Sequence, residues 1–258
     1  NGATNWSTVN SGLGNLSVRA LAIPPSPPAM LYAATAGGVY RSQNRGGNWL
    51  AANTGLTNLS VQAIAIDPVT PATVYAGTAG GVFKSVNAAT NWAAVNAGLS
   101  VTNVTALAID PLTPTTIYAG TTNGLFKSTD AGASWNPITN GFSVPQILAV
   151  VPNPQSPSNL YAGTRGTNSL GGEDAFVTKL GTNGYSVILG GFLDDQGWDV
   201  TVDAAGHAHL VGTTLSTNFP TRNPSGLLRA TNAGLRDVFV AELGSDGTTL
   251  INSAYFGG

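Results

Sequence analysis

Apolar and polar residues alternate along this chain in short stretches, and Gly, Asn or Pro closes each of them. Val61–Asp67 (VQAIAID) alternates and is rich in branched side chains. Ala72–Thr78 (ATVYAGT) follows a proline-containing turn, Gly80–Val86 (GGVFKSV) follows a glycine-rich one, and Asn91–Asn96 (NWAAVN) ends the unit. A period of two places successive side chains on opposite faces, which marks a half-buried strand. No stretch keeps a 3.6-residue apolar period before Gly or Pro interrupts it, so helical repeats are disfavoured. The pattern predicts four antiparallel strands joined by tight turns.

That unit recurs. Trp6, Trp49, Trp92 and Trp135 stand 43 residues apart, and so do Tyr32, Tyr75, Tyr118 and Tyr161. Four short strands in a period of about 40–50 residues is the pattern of a β-propeller blade. The parse gives blades at 16–55, 60–98, 103–140, 146–193 and 197–256. The expected fold is therefore an all-β propeller of five four-stranded blades, or six if the ring takes in further material. The segment NWSTVN is left over, and Asn1 aligns with the middle of a turn phrase whose first half is missing. The chain is accordingly expected to be a section of a longer array. Its spare strand is expected to complete or augment the last blade, or to pair with another subunit.

Composition narrows the function classes. The 258 residues are 42% apolar, enough for a large core, yet only 9% charged, against about a quarter in ordinary soluble domains. The net charge is −2 and the ten basic residues are scattered, which excludes the clustered Lys/Arg footprint of a nucleic-acid binder. No apolar run reaches the roughly 20 residues of a membrane span. Cysteine is absent, so disulfides and thiolate metal sites are excluded. Low charge with abundant Asn, Thr, Ser and Gly points to a bacterial secreted or cell-surface protein.

One phrase is written three times: RSQNRGGNW from Arg41, KSVNAATNW from Lys84 and KSTDAGASW from Lys127. Its positions are Ser42, Asn44, Gly46 and Trp49, then Ser85, Asn87 and Trp92, then Ser128, Asp130, Gly132 and Trp135. An Asp or Asn oxygen accepts backbone N–H groups of a turn, Gly permits positive φ, and Trp wedges between blades. That role needs an acceptor and no charge. Free exchange of Asp130 for Asn44 and Asn87 therefore marks the phrase as structural and not as a catalytic acid.

STDAGASW matches Ser-x-Asp-x-Gly-x-x-Trp, and residues 1 to about 166 resemble the BNR/Asp-box repeats of sialidase-like and sortilin-like propellers. From Asp174 the sequence DAFVTKLGTNGYSVILGGFLDDQGWDVTVDAAGHAHLVGTT resembles the bacterial SBBP repeat, and DVFVAELGSDGTTL from Asp237 repeats its opening. The resemblance implies one propeller across 1–258, with Asp-box-type blades over 1–166 and SBBP-type blades over 167–258.

Few groups carry chemistry. His207 and His209 are two residues apart, which on a strand sets two imidazoles on one face. That can seed a zinc site, but neither a cysteine nor a third histidine is available to complete it. Asp194, Asp195 and Asp199, with Asp203 nearby, form the densest carboxylate cluster and a weak calcium candidate. Glycoside hydrolysis needs a flanking carboxylate pair; the only glutamates are Glu173 and Glu242, and Glu242 lies in a strand pattern. No catalytic residue and no cofactor is assigned.

Two long connections, TRGTNSLGGED and TLSTNFPTRNPSGLLRATNAGLRD, stand out from the short turns elsewhere, and long connections are often functional. They carry Arg165, Glu173, Arg222, Asn223, Arg229, Asn232 and Arg236, groups suited to sugar hydroxyls, carboxylates or a protein partner. The alternative is that the longer one only extends a blade edge. The expected function is non-catalytic extracellular binding of a glycan or protein ligand, or scaffolding. The alternatives are a subunit of a homo-oligomer or fibre joined through the spare strand, and a glycoside-hydrolase-related propeller.

Overall fold

The computed structural model describes residues 7–25, 30–139, 146–167, 172–181, 183–223, 229–232 and 234–256, the side chains of 165–167 excepted. Twenty strands form five four-stranded antiparallel sheets. Blade one holds β1 (Val18–Ala22), β2 (Leu31–Thr35), β3 (Gly38–Ser42) and β4 (Leu50–Ala51). Blade two holds β5 (Val61–Ile66), β6 (Val74–Thr78), β7 (Gly81–Ser85) and β8 (Ala93–Ala94). Blade three holds β9 (Val104–Ile109), β10 (Ile117–Thr121), β11 (Gly124–Ser128) and β12 (Asn136–Ile138). Blade four holds β13 (Gln146–Pro152), β14 (Leu160–Thr167), β15 (Glu173–Leu180) and β16 (Tyr185–Leu189). Blade five holds β17 (Asp195–Val202), β18 (Ala208–Thr214), β19 (Asp237–Leu243) and β20 (Leu250–Phe256). Strand order follows chain order in every sheet, the meander of a propeller blade. The one boundary that moves is the start of blade five, which opens at Asp195 and not at 197 because Asp195 pairs with Thr214.

The core lies between blades. Val61, Ile64, Val74 and Phe83 of blade two pack on Tyr32, Ala34 and Val39 of blade one. Comparable clusters join blades two and three, three and four, and four and five. Among the described residues no such cluster joins blade five to blade one.

The thrice-written phrase closes each unit as its residue types require. Ser42 Oγ accepts the Gly46 N–H at 2.9 Å, and Asn44 Oδ1 accepts the Asn48 N–H at 2.8 Å. Ser85 with Asn87, and Ser128 with Asp130, repeat these bonds. The turn runs through two left-handed residues each time, and at Ala88 and Ala89 both are non-glycine, with φ 54° and 63°.

Each closing tryptophan is buried and donates from Nε1 to a carbonyl forty residues earlier: Trp49 to Val9, Trp92 to Ala52, Trp135 to Val95. The described part of the leftover N-terminal segment, Ser7–Asn10, is thus seated against the box of blade one and is not part of the sheet of blade five. Asn1, Asn5 and Trp6 lie outside the described residues.

A second device ties blade to blade. Tyr32 pairs across the sheet with Arg41, Tyr75 with Lys84, Tyr118 with Lys127 and Tyr161 with Lys179. The lysine ammoniums sit 5.4–5.9 Å from the partner ring centroids, within cation–π range. Three of the four cations also reach the following blade. Arg41 donates to Ala88 O at 2.7 Å, Lys84 to Ala131 O at 3.0 Å and Lys179 to Ser245 O at 3.2 Å. Ala88 and Ala131 are left-handed box residues, whose carbonyls are aimed back at the preceding blade. Burial raises the Tyr75 hydroxyl to about 12, with Asp67 adding to the rise, so it stays a donor to Ala131 O at 3.0 Å.

Candidate functional site

Blade five alternates cleanly. Val200, Val202, Ala208, Leu210, Phe239, Ala241, Leu243 and Tyr255 face blade four and are buried. The residues between them face away, and this outward face holds a cavity of about 360 Å³. Val211, Val240 and Ala254 give it an apolar floor, while Thr201, His209, Glu242 and Asn252 supply polar groups. Trp198, next in sequence to the lining residue Asp199 but outside the lining, is 52% exposed, with its Nε1 donating to Thr213 Oγ1 at 3.0 Å. Phe256, paired with Val238, is exposed on the same sheet.

At the end of this face two histidines and two carboxylates meet. Asp203 follows β17, and its Oδ1 accepts the His207 N–H at 2.8 Å. That bond is the largest of the causes holding the Asp203 carboxyl below the ordinary carboxylate range. Asp203 Oδ2 lies 3.2 Å from His207 Nδ1 and 3.6 Å from His209 Nε2. Glu242 Oε1 lies 3.5 Å from His207 Nδ1, while Oε2 accepts from Asn252 Nδ2 at 2.6 Å. His207 is in the turn before β18 and not on the strand, yet both imidazoles converge on Asp203. Sequence reasoning singled out the two histidines and missed Glu242 as their companion. The signal is the strand register, in which His209 lies opposite Glu242, and that pairing spans the long connection.

The long connection of 215–236 is anchored before it becomes a loop. Phe219 is buried against Phe239 at 4.4 Å between ring centroids, and Ser216 Oγ donates to Asp195 Oδ2 at 2.8 Å. Arg222 and Arg229 exchange backbone hydrogen bonds with Ser253 and Tyr255, so this stretch runs along the outer edge of β20. Arg236 leads into β19, its guanidinium donating to Thr213 Oγ1 at 3.3 Å. Asn223 lines the cavity and donates to Ile251 O at 3.1 Å. Asn232 Oδ1 caps the Gly234 N–H at 2.9 Å. Glu173 accepts from Gln196 Nε2 at 3.1 Å, at the other long connection. The side chain of Arg165 lies outside the described residues.

The acidic cluster is spread over three tasks. Asp194 Oδ1 accepts the Glu173 N–H at 3.0 Å, Asp195 Oδ2 accepts the Gly191 N–H at 2.6 Å, and Asp199 Oδ1 accepts the Val200 N–H at 2.9 Å. Burial raises the Asp199 carboxyl above its ordinary value. Among the described residues the side-chain group with metal-ligand spacing is Asp203, His209 and Glu242.

With five stacked four-stranded meanders and their interblade cores, the chain is a β-propeller. Solved structures agree on that class. The chain is similar to a GH74 enzyme of Niastella koreensis (TM-score 0.65, 22% identity), covering 95% of this chain and 38% of that one. It is also similar to a GH74 xyloglucanase from Xanthomonas campestris (TM-score 0.62, 17% identity), covering 95% of this chain and 40% of that one. A third is the extracellular domain of a one component system from B. thetaiotaomicron (TM-score 0.58, 13% identity), with 92% and 32% covered. At these identities the likeness shows the fold, and this chain spans two fifths or less of each neighbour. No family model and no curated protein matches the sequence. Among the described residues no helix is long and apolar enough to cross a membrane.

Proposed function

We propose that the chain is a non-catalytic, extracellular or cell-surface binding module built from Asp-box-type and SBBP-type blades, and that it binds a glycan through the outward face of blade five. The observation that carries this reading is the cavity, together with the exposed indole of Trp198, the residue before Asp199 of its lining. Trp198 offers a stacking plane, and Thr201, Asn252 and Glu242 offer hydrogen bonds around an apolar floor. Asp203 and Glu242 each face His207, which supports a binding role over an acid and base free to act on a glycosidic bond. The extracellular setting draws support from the low charge and from the extracellular domain among the structural neighbours.

The test is a panel of soluble polysaccharides, xyloglucan, β-glucan and sialosides, scored for binding and for released product. The expected result is binding without hydrolysis, weakened about tenfold or more by Trp198→Ala. Product release that Glu242→Gln abolishes would make the protein a glycosidase. Binding indifferent to Trp198→Ala and Val240→Asp would move the site elsewhere.

A second reading, assembly with further copies, rests on blade one. Val18 is 40% exposed, while Val61, Val104 and Ile147, at the same place in the next three blades, are fully buried. Leu21 is 64% exposed against 9% for Ile64. Concentration-dependent association that Leu21→Asp removes would favour this reading over the monomeric binder.

A further inference from the structure

Five positions occupy one place in the five blades, and the last departs from the rest. Where blades one to four pair an aromatic ring with a cation, as Tyr32–Arg41, Tyr75–Lys84, Tyr118–Lys127 and Tyr161–Lys179, blade five pairs His209 with Glu242. The exchange replaces a tyrosine and a cation that repels metals with an imidazole and a carboxylate, both of them usual zinc ligands. Asp203 stands where blades two and three have Asp67 and Asp110, the turn aspartates that end the first strand. Its N–H bonds the carbonyl across the turn as theirs do. In blades two and three that aspartate accepts only backbone N–H groups of its own turn, whereas Asp203 also turns Oδ2 onto both histidines.

We propose that Asp203, His209 and Glu242 form a three-ligand binding site for a zinc-class divalent cation on the outward face of blade five, with His207 beside it as a hydrogen-bond partner of both carboxylates. The ligand atoms of Asp203, His209 and Glu242 all lie within 4.8 Å of one another. His209 Nε2 lies 3.6 Å from Asp203 Oδ2. A tetrahedral zinc site with bonds near 2 Å separates its donors by about 3.3 Å, and three protein ligands leave its fourth position to water. One imidazole and two carboxylates suit zinc or its neighbours and not calcium, which takes six or more oxygens.

The carboxylates are also oriented as ligands are. Asp203 commits Oδ1 to the His207 N–H, and Glu242 commits Oε2 to Asn252 Nδ2. The remaining oxygen of each faces the histidines, so the arrangement carries the outer hydrogen bonds that hold a metal ligand in place. All four side chains are partly exposed, which leaves a path for entry. A cation held by one oxygen of each carboxylate and by His209 neutralises the charge that the two carboxylates bring together; without it, Asp203 Oδ2 must serve both rings through protons alone.

Calorimetric titration of the whole chain with Zn²⁺ in metal-free buffer tests the proposal. The expected result is saturable one-to-one binding, with the unfolding temperature rising as Zn²⁺ is added. His209→Ala and Glu242→Gln are each expected to lower the affinity tenfold or more, and Asn252→Ala, which only frees a carboxylate oxygen, about tenfold. The decisive variant is His209→Tyr with Glu242→Lys, which installs the pair that the other blades use. It is expected to melt cooperatively in chelator and to bind no Zn²⁺. No saturable binding by the wild-type chain, or wild-type affinity in this double variant, overturns the site. If His209→Ala does not fold, Glu242→Gln, close to isosteric, carries the same test.

Discussion

Blade two and blade five share strand order and register, and they use the face turned away from the preceding blade in opposite ways. In blade two Tyr75 and Lys84 both donate to Ala131 O on blade three, so the face is consumed in joining blades. In blade five the same places hold His209 and Glu242, and the face carries a cavity, with Trp198 exposed on β17. The comparison teaches that a repeat protein gains a site by changing the side chains that address the next repeat while leaving the ladder of hydrogen bonds untouched.

Tryptophan gives the largest test of that contrast. Trp92 is buried and hydrogen-bonded to Ala52 O, a wedge between blades one and two. Trp92→Ala is expected to cost about 3–5 kcal/mol of stability in a denaturant melt. Trp198→Ala, exposed on blade five, is expected to cost no more than about 0.5 kcal/mol while weakening ligand binding about tenfold or more. If both cost alike, the outward face of blade five is covered in solution and the contrast fails.

A smaller effect belongs to the cross-strand cations. Lys84→Met removes a charge-assisted bond to Ala131 O and the contact with the Tyr75 ring, and about 1–3 kcal/mol is expected to go with them. Glu242→Gln, whose charge holds no blade to its neighbour, is expected to leave the melt in chelator unchanged. Equal losses would mean that Glu242 carries a structural load like that of Lys84.

What could be read from the residues follows from distance along the chain. Trp49, Trp92 and Trp135 announced the blade period because each repeats a local turn whose bonds join residues two to four apart. Those tryptophans mark the first three blades; the fourth and fifth carry none in that place and were legible from their own strand pattern. The site was half legible. His207 and His209 stand out as neighbours, but Glu242 joins them only through a strand pairing across more than thirty residues, and strand register is set by packing and not by local pattern. The arginines show the same limit: Arg222 and Arg229 are seven residues apart in sequence, but their backbone bonds set them opposite Ser253 and Tyr255, two residues apart on β20, a pairing no local pattern announces.

The box turns sharpen the comparison within the first three blades. Ala89 sits at φ 63°, where blades one and three have Gly46 and Gly132. A left-handed non-glycine residue costs about 1–2 kcal/mol, and Ala89→Gly is expected to recover part of it, raising stability by about 0.5–1 kcal/mol. The reverse change, Gly46→Ala, is expected to lose about 1 kcal/mol through φ alone. A Cβ there would meet only ordinary contacts, at 3.6–3.7 Å from Val9, Leu31 and Trp49. A melt in which Ala89→Gly destabilises would show that the buried Ala89 methyl contributes more to the core than the strain removes.

The smallest expected effect concerns the one box that kept a carboxylate. Hydrogen bonds from the Ser134 hydroxyl and N–H, then from Ser128, hold Asp130 down to about 2. A folded-state value below the ordinary 3.8 means that the charged form stabilises the fold. That contribution is fully present above about pH 4 and is lost as pH falls through about 2. Asn44 and Asn87 make the corresponding backbone bonds without a charge. Asp130→Asn, which keeps the backbone bond but loses the Ser134 hydroxyl bond to Oδ2, is therefore expected to lower the melting temperature slightly at pH 7 and to flatten its fall between pH 4 and pH 2. Asp246, likewise held to about 2 by Thr248 and Thr249, keeps part of that fall in the single variant. Melting curves across this range in Asp130→Asn, and in the variant that also carries Asp246→Asn, measure the two shares. An unchanged fall between pH 4 and pH 2 in Asp130→Asn would show that the third turn, like the first two, draws no stability from a charge.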